Sequence, residues 1–215
     1  RIPLSSSQER MWILDRVEET RSPIYVIPLV LRLRGPLDER ALRAALGTIV
    51  ARHEALRTSF PTMGELPVQQ LSPDLVIDLP RAEPLELPAG LSEQEQLEGL
   101  QRAVGLEVSR PFDLARGPVL RLRLFRLSEL DHVVVLTMHH IVSDGWSIGV
   151  LARELSAAYG AFKAGREPVL PALPVQYADF ALWQRQALES GALASSIAAY
   201  QQRLLGAPPF LELPA

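Results

Sequence analysis

Cysteine is absent from the 215-residue chain. That excludes disulfides, a cysteine nucleophile and thiolate metal sites, and it fits a cytoplasmic protein. No apolar run approaches the ~18 residues of a bilayer-spanning helix, so no membrane contact is expected. The opening Arg1-Ile2-Pro3-Leu4 lacks the long apolar core of a secretory leader. A basic excess is also missing. Lysine and arginine number 22 against 25 acidic residues, for a net charge of −3, which argues against nucleic acid as a partner. No internal repeat of fixed period occurs. What is present is ordinary for a globular protein: 47% hydrophobic and 22% charged residues. At ~150 residues per domain, the length allows one or two domains.

The pattern along the chain alternates helices and strands. Ser5 and Gln8 have capping-box spacing, and Met11, Trp12 and Leu14 to Val17 supply an apolar stripe behind them. Ile24 to Arg34 alternates as a strand, and Pro28 within it predicts an edge or a bulge. A helix should open at Pro36-Leu37-Asp38 and run to about His53. Leu56 to Phe60 and Pro67 to Leu71 read as a hairpin around Met63-Gly64-Glu65. Leu75 to Leu91 is Pro-rich and poor in pattern, and a capped helix follows over Ser92 to Val108. Val119 to Leu127 alternates, with Arg121 and Arg123 reading as a solvated face, and His132 to Met138 is a nearly continuous apolar run. Such a run belongs in a central strand covered on both faces. Helices are predicted over Gly145 to Ala164, Tyr177 to Glu189 and about Leu193 to Leu205. The Pro-rich tail 206–215 reads as a linker. The sum is an α/β sandwich, with helices packed on a mixed sheet.

The residues most able to carry chemistry stand together in Met138-His139-His140-Ile141-Val142-Ser143-Asp144-Gly145-Trp146-Ser147. A buried strand ends in two histidines that must point to opposite sides. Ser143 or Asp144 can cap the helix that follows, where the helix dipole favours a carboxylate. Gly145 leaves room for close approach of a ligand. A histidine at such a corner suits a general base at neutral pH. Spacing alone leaves alternatives open: a structural histidine, metal ligation by the His-His-Asp group, or a nucleophilic Ser143 or Ser147.

His139-His140-x-x-x-Asp144-Gly145 resembles the HHxxxDG signature of condensation domains from nonribosomal peptide synthetases, in the wider chloramphenicol acetyltransferase-like superfamily. Ser5-Ser6-Ser7-Gln8-Glu9-Arg10-Met11-Trp12-Ile13-Leu14 is similar to the family's SxAQxRLWxL motif, with Ser7 and Met11 as mild departures. Arg52 to Phe60 matches RHExLRTxF throughout. Pro111 to Leu114 with Gly117-Pro118 resembles PFDLxxGP, and Tyr177 to Trp183 resembles YxDFAxW. These segments follow the family's order and span most of the chain.

The resemblance implies a mostly antiparallel sheet with helices packed on it as a two-layer sandwich. The family's domain is about twice this length, a pair of lobes, and its later motifs are missing here. Residues 1–205 would then be the N-terminal lobe, and 206–215 the linker toward a C-terminal lobe. The implied activity is acyl transfer, forming a peptide bond in antibiotic or siderophore biosynthesis. A carrier-bound aminoacyl amine attacks a carrier-bound acyl or peptidyl thioester. The implied catalytic residue is His140, as proton acceptor or as orienting group. His139, Asp144, Gly145 and Arg57 would support it, with Asp144 paired to Arg57. Trp146 and Ser147 would line a substrate channel, while Tyr177 and Trp183 are expected to pack.

No bound cofactor or metal is implied. The 4'-phosphopantetheine arm would arrive on donor and acceptor peptidyl carrier proteins. The C-terminal lobe and an adjacent adenylation domain are the other implied partners, and the lobe alone should turn over poorly. A non-catalytic carrier-docking or recruitment module is an alternative, although such domains often lose the histidine motif. A stand-alone HHxxxDG acyltransferase and an epimerisation domain are others.

Overall fold

The computed structural model describes residues 2–17, 23–75, 83–84, 92–208 and 210. In chain order the elements are β1 (Ile2–Pro3), α1 (Ser6–Val17), β2 (Val26–Arg34), α2 (Glu39–Arg52), β3 (Thr58–Ser59), β4 (Thr62–Met63), β5 (Leu66–Leu71), β6 (Glu83–Pro84), α3 (Glu93–Val108), β7 (Leu120–Ser128), β8 (Asp131–His139), α4 (Gly145–Lys163), α5 (Tyr177–Glu189) and α6 (Ala194–Leu204). The main sheet has the order β2-β8-β7-β6. β8 is therefore interior and β2 an edge, one of the two outcomes its proline allows. β2–β8 and β8–β7 pair antiparallel, while β6 joins β7 in parallel. A second, small sheet runs β1-β5-β3, with β4 on β5. The α/β class with a mostly antiparallel sheet holds.

Alternation along the central strands builds two apolar layers. Leu120, Leu122 and Leu124 of β7 and Val134, Leu136 and Met138 of β8 pack under α2 and α4. Val133 and Val135 face the other way, with Phe125, onto Leu100 of α3. Helices thus cover both faces of the sheet, which explains the unbroken apolar run of β8. Asp38 caps α2 by accepting from the Arg40 and Ala41 amides. Ser92 and Glu95 form the predicted capping box on α3.

Local readings differ from the structure at several places. The expected hairpin arm at Leu56 begins instead as a tight helical turn, Glu54–Arg57, and only Thr58 and Ser59 pair with β5. On α1 the fully buried residue is Gln8, while Val17 is exposed. Hydrogen bonds make the burial of Gln8 possible: Ser5 N–H donates to its Oε1 at 3.0 Å, and its Nε2 donates to Gln69 Oε1 at 3.4 Å. Arg121 and Arg123 do not form a solvated face. Both donate to the buried Glu107 of α3, at 2.9 and 3.2 Å, with Arg110 adding a third pair at 3.0 Å. The Arg121 guanidinium also lies over the Phe112 ring at 3.9 Å. Burial pushes the Glu107 carboxyl up, and the arginines more than reverse this, holding it below the usual carboxylate range. Most of 75–91 and of the tail 206–215 lies outside the described residues.

Candidate functional site

β8 delivers the two histidines to one end of the main sheet. The His139 N–H donates to Val119 O at 3.0 Å, and the His140 N–H donates to Tyr25 O at 2.8 Å. Alternation sends the His139 ring to the side of Val133 and Val135, where it is buried. Phe112 meets it edge-on at 6.2 Å between centroids, and Tyr25 lies at 6.0 Å. Its Nδ1 accepts from the Ile141 N–H at 3.0 Å, so the neutral ring carries its proton on Nε2. Nε2 is 3.8 Å from Asp15 Oδ1, beyond hydrogen-bond distance. Burial, and then the charge of His140, push the His139 pKa down to about 4. At neutral pH this ring is uncharged and tied into the turn that follows.

His140 is exposed, on the wall of a cleft of about 300 Å³. Ser7, Gln8 and Met11 of α1, Ser147 of α4 and Tyr177 of α5 share that wall. Remote parts of the chain are stitched together here. The Ser5 and Tyr177 hydroxyls are 3.0 Å apart, and Ser6 N–H donates to Gln184 Oε1 at 2.8 Å. Arg185 Nε donates to Leu4 O at 2.8 Å, and its guanidinium also pairs with Glu9.

Asp144, rather than Ser143, caps α4. One carboxylate oxygen accepts from the Ser147 N–H at 2.8 Å and from the Ser147 hydroxyl at 2.6 Å. Those bonds, the hydroxyl first, hold the Asp144 carboxyl below the usual carboxylate range. The expected pairing with Arg57 is not formed. The Arg57 guanidinium donates to Val50 O and Ala51 O at 2.9 Å and to Pro73 O at 3.2 Å. It satisfies carbonyls that the C-terminal turn of α2 leaves without partners, where the helix dipole also favours a cation. Asp144 is already satisfied at the head of α4. Each charge is therefore met locally, and neither needs the other.

Gly145 faces open space: a Cβ built there meets nothing within 4 Å. Trp146 is 82% exposed. Trp146 and Ser147 both line a second cavity of about 220 Å³. It shares Val142, Ser143, Ser147 and Tyr177 with the histidine cleft. Ser143 is buried, and its hydroxyl has no hydrogen-bond partner among the described residues. Neither Ser143 nor Ser147 therefore shows the histidine contact of an activated nucleophile. Among the described residues, no group of three or more His, Asp or Glu could hold a metal ion. No helix among them is long and apolar enough to cross a membrane.

Local sequence reasoning missed the α1 wall, the second cavity and the place of Tyr177, which lines both cavities rather than packing in a core. The only signal for Tyr177 was its place in a family-like segment, since no spacing rule links it to His140.

The chain matches the family model described as Condensation domain over residues 1–215. It is 43% identical over 214 residues to chondramide synthase cmdD of Chondromyces crocatus, covering 100% of this chain and 5% of that protein. It is 42% identical over 213 residues to phosphinothricin tripeptide synthetase PhsC of Streptomyces viridochromogenes, covering 99% of this chain and 19% of that protein. The X-domain solved in complex with OxyB from teicoplanin biosynthesis superimposes with a TM-score of 0.84 at 34% identity. That match covers 100% of this chain and 45% of the X-domain chain. The chain thus spans a small part of the synthetases and less than half of the solved domain.

Proposed function

Since the chain belongs to the condensation-domain family, we propose that it is the N-terminal, histidine-bearing lobe of a nonribosomal peptide synthetase condensation domain. The reaction joins an acyl or peptidyl thioester on a donor carrier protein to the amine of an aminoacyl thioester on an acceptor carrier. The amine nitrogen attacks the thioester carbonyl, the C–N bond forms, and the C–S bond breaks. The 4'-phosphopantetheine thiol leaves on the donor arm, and the amine gives up a proton. Holding both thioesters in one cleft supplies the orientation that such a reaction needs most.

The observation that carries this reading is the division of labour between the two histidines. His139 is buried, neutral and bonded to the Ile141 amide, whereas His140 stands in the cleft. In the proposal His140 meets the acceptor amine, as proton acceptor or as orienting hydrogen-bond partner. His139 supports it by fixing the turn, and Asp144 by heading α4. Gly145 leaves channel space, which fits the open volume at its Cα. Arg57 acts at a distance, by closing the end of α2.

The partners follow from the same reading: donor and acceptor carriers, a C-terminal lobe and an adjacent adenylation domain, in the cytoplasm. In this reading the C-terminal lobe supplies the other wall of the cleft, and the N-terminal lobe tested by itself should turn over poorly. A second reading, a recruitment module, draws on the similar X-domain solved with OxyB. The test is His140→Ala in the complete two-lobe domain with loaded carriers. Amide formation should fall by about 10²–10⁴-fold, with folding and carrier binding intact. A pH–rate profile that loses its low-pH limb in the variant identifies a proton acceptor, and an unchanged profile an orienting group. Undiminished product overturns the catalytic assignment of His140, and absence of product from the unsubstituted domain favours the recruitment module.

A further inference from the structure

The second cavity does not contain His140, yet it shares four residues of wall with the histidine cleft. We propose that it is a side-chain pocket, which selects thioester substrates bearing an uncharged apolar side chain, branched aliphatic or a single aromatic ring. This rests on the amide-forming reading above.

Size and chemistry both point there. About 220 Å³ is below the ~300–1,000 Å³ of sites that enclose a drug-sized ligand, and it fits one side chain. The walls are Leu56, Met138 of β8, Val150 and Leu151 of α4, and Leu173 and Val175 of the segment before α5. Among the described residues, the one titratable ring in the lining apart from Tyr177 is His53, whose Nε2 lies 2.7 Å from Glu154 Oε2. A charged substrate side chain would lose its water and find no free counter-charge.

The shared wall also holds Ser143. It adds no charge to either cavity, and its hydroxyl is buried with no hydrogen-bond partner among the described residues.

The outer wall is held in place. Gln176 Nε2 donates to Arg52 O at 3.0 Å, and Glu54 N–H donates to Gln176 Oε1 at 3.2 Å. Arg52 Nε donates to Glu154 Oε2 at 3.1 Å, and the same guanidinium donates to Pro171 O. These bonds tie the segment before α5 to both α2 and α4. A pre-formed wall can discriminate by shape, because little ordering remains to be done on binding.

The test uses the complete synthetase module, with carriers loaded with alanine, valine, leucine, phenylalanine, glutamate or lysine. The side chain is varied first on the acceptor and then on the donor, with the other partner held constant. In one series kcat/KM should rise from alanine to leucine or phenylalanine by about tenfold and fall by at least as much for the charged residues. Val150→Phe should abolish the gain for leucine and phenylalanine over alanine. Leu173→Ala lies at the partly exposed outer wall and should shift the preference to bulkier side chains, so the inference stays testable if Val150→Phe misfolds. Effects confined to the acceptor series or to the donor series name which substrate uses the pocket.

Uniform rates across both series, or variants that change all substrates equally, overturn the pocket. An unsubstituted module that forms no amide with any pair instead defeats the amide-forming reading, and this inference with it.

Discussion

Leu46, Leu120 and Leu136, where α2 meets β7 and β8, are at most 2% exposed, whereas Leu182, Trp183, Ile197 and Tyr200 of α5 and α6 are 38–65% exposed. Both regions are amphipathic, and both form the elements their periodicity predicts. Among the described residues, only the first closes its apolar face. On α5 the buried residue is Ala181, and α6 has none. Apolar area left in water forgoes about 25 cal/mol per Å². The histidine cleft lies on the border between the two regions, built from the turn after β8 and from α4 on one side and from α1 and α5 on the other. A lobe with a finished core and an unfinished edge fits the proposal that a second lobe completes the domain.

The sharpest way to break that contrast is in the core. Leu136→Ala should cost about 2–5 kcal/mol, read as a large fall in the thermal midpoint. A shift within error would mean that the sheet core is loosely packed.

Next in size is a pH effect from the border. His139 titrates at about 4 in the fold against 6.5 for a histidine in water, so the unfolded chain takes up the proton first. This residue's effect on stability is absent above pH 6.5, and stability is lost as pH falls toward 4, by about 3 kcal/mol in total. His139→Asn should flatten that part of the stability–pH profile. Parallel profiles for the two proteins would show that the ring is not buried.

Smaller still are the two charges that flank the site. Arg57→Ala should cost about 1–3 kcal/mol through the stranded carbonyls of α2 and Pro73. Asp144→Ala should cost about 0.5–2 kcal/mol as a lost helix cap. The double variant should equal the sum within ~0.5 kcal/mol, because the two share no partner. A coupling several times larger would restore the ion pair between them.

The smallest effect is expected at the edge. Tyr200→Ala in this chain alone should change stability by less than ~0.5 kcal/mol, but should weaken association with a separately supplied second lobe. A loss of about 2 kcal/mol in the chain alone would mean that α6 is already covered.

The helices and the central hairpin were legible because each is set by local periodicity and caps. α5 appears over Tyr177–Glu189 as read, and α3 starts at its capping box. Glu107 with its three arginines was not legible, because α3 and β7 meet only through the tertiary fold and alternation along β7 looks the same whether its second face is wet or covered. The Arg57–Asp144 pairing failed for a related reason. Opposite charges in a sequence suggest a partner, but carbonyls at a helix end compete for the guanidinium and amides at a helix start compete for the carboxylate.

The sequence by itself determined the long helices and the β7–β8 hairpin, the interior position of β8 and the opposite facing of the two histidines. Each of these follows from short-range rules of backbone geometry and burial. Only the tertiary structure decided that His139 is the neutral, buried member and that α1 and Tyr177 wall the cleft around His140. It also decided that a second, apolar cavity opens beside that cleft. Those facts depend on contacts between segments far apart in the chain, which no local pattern encodes.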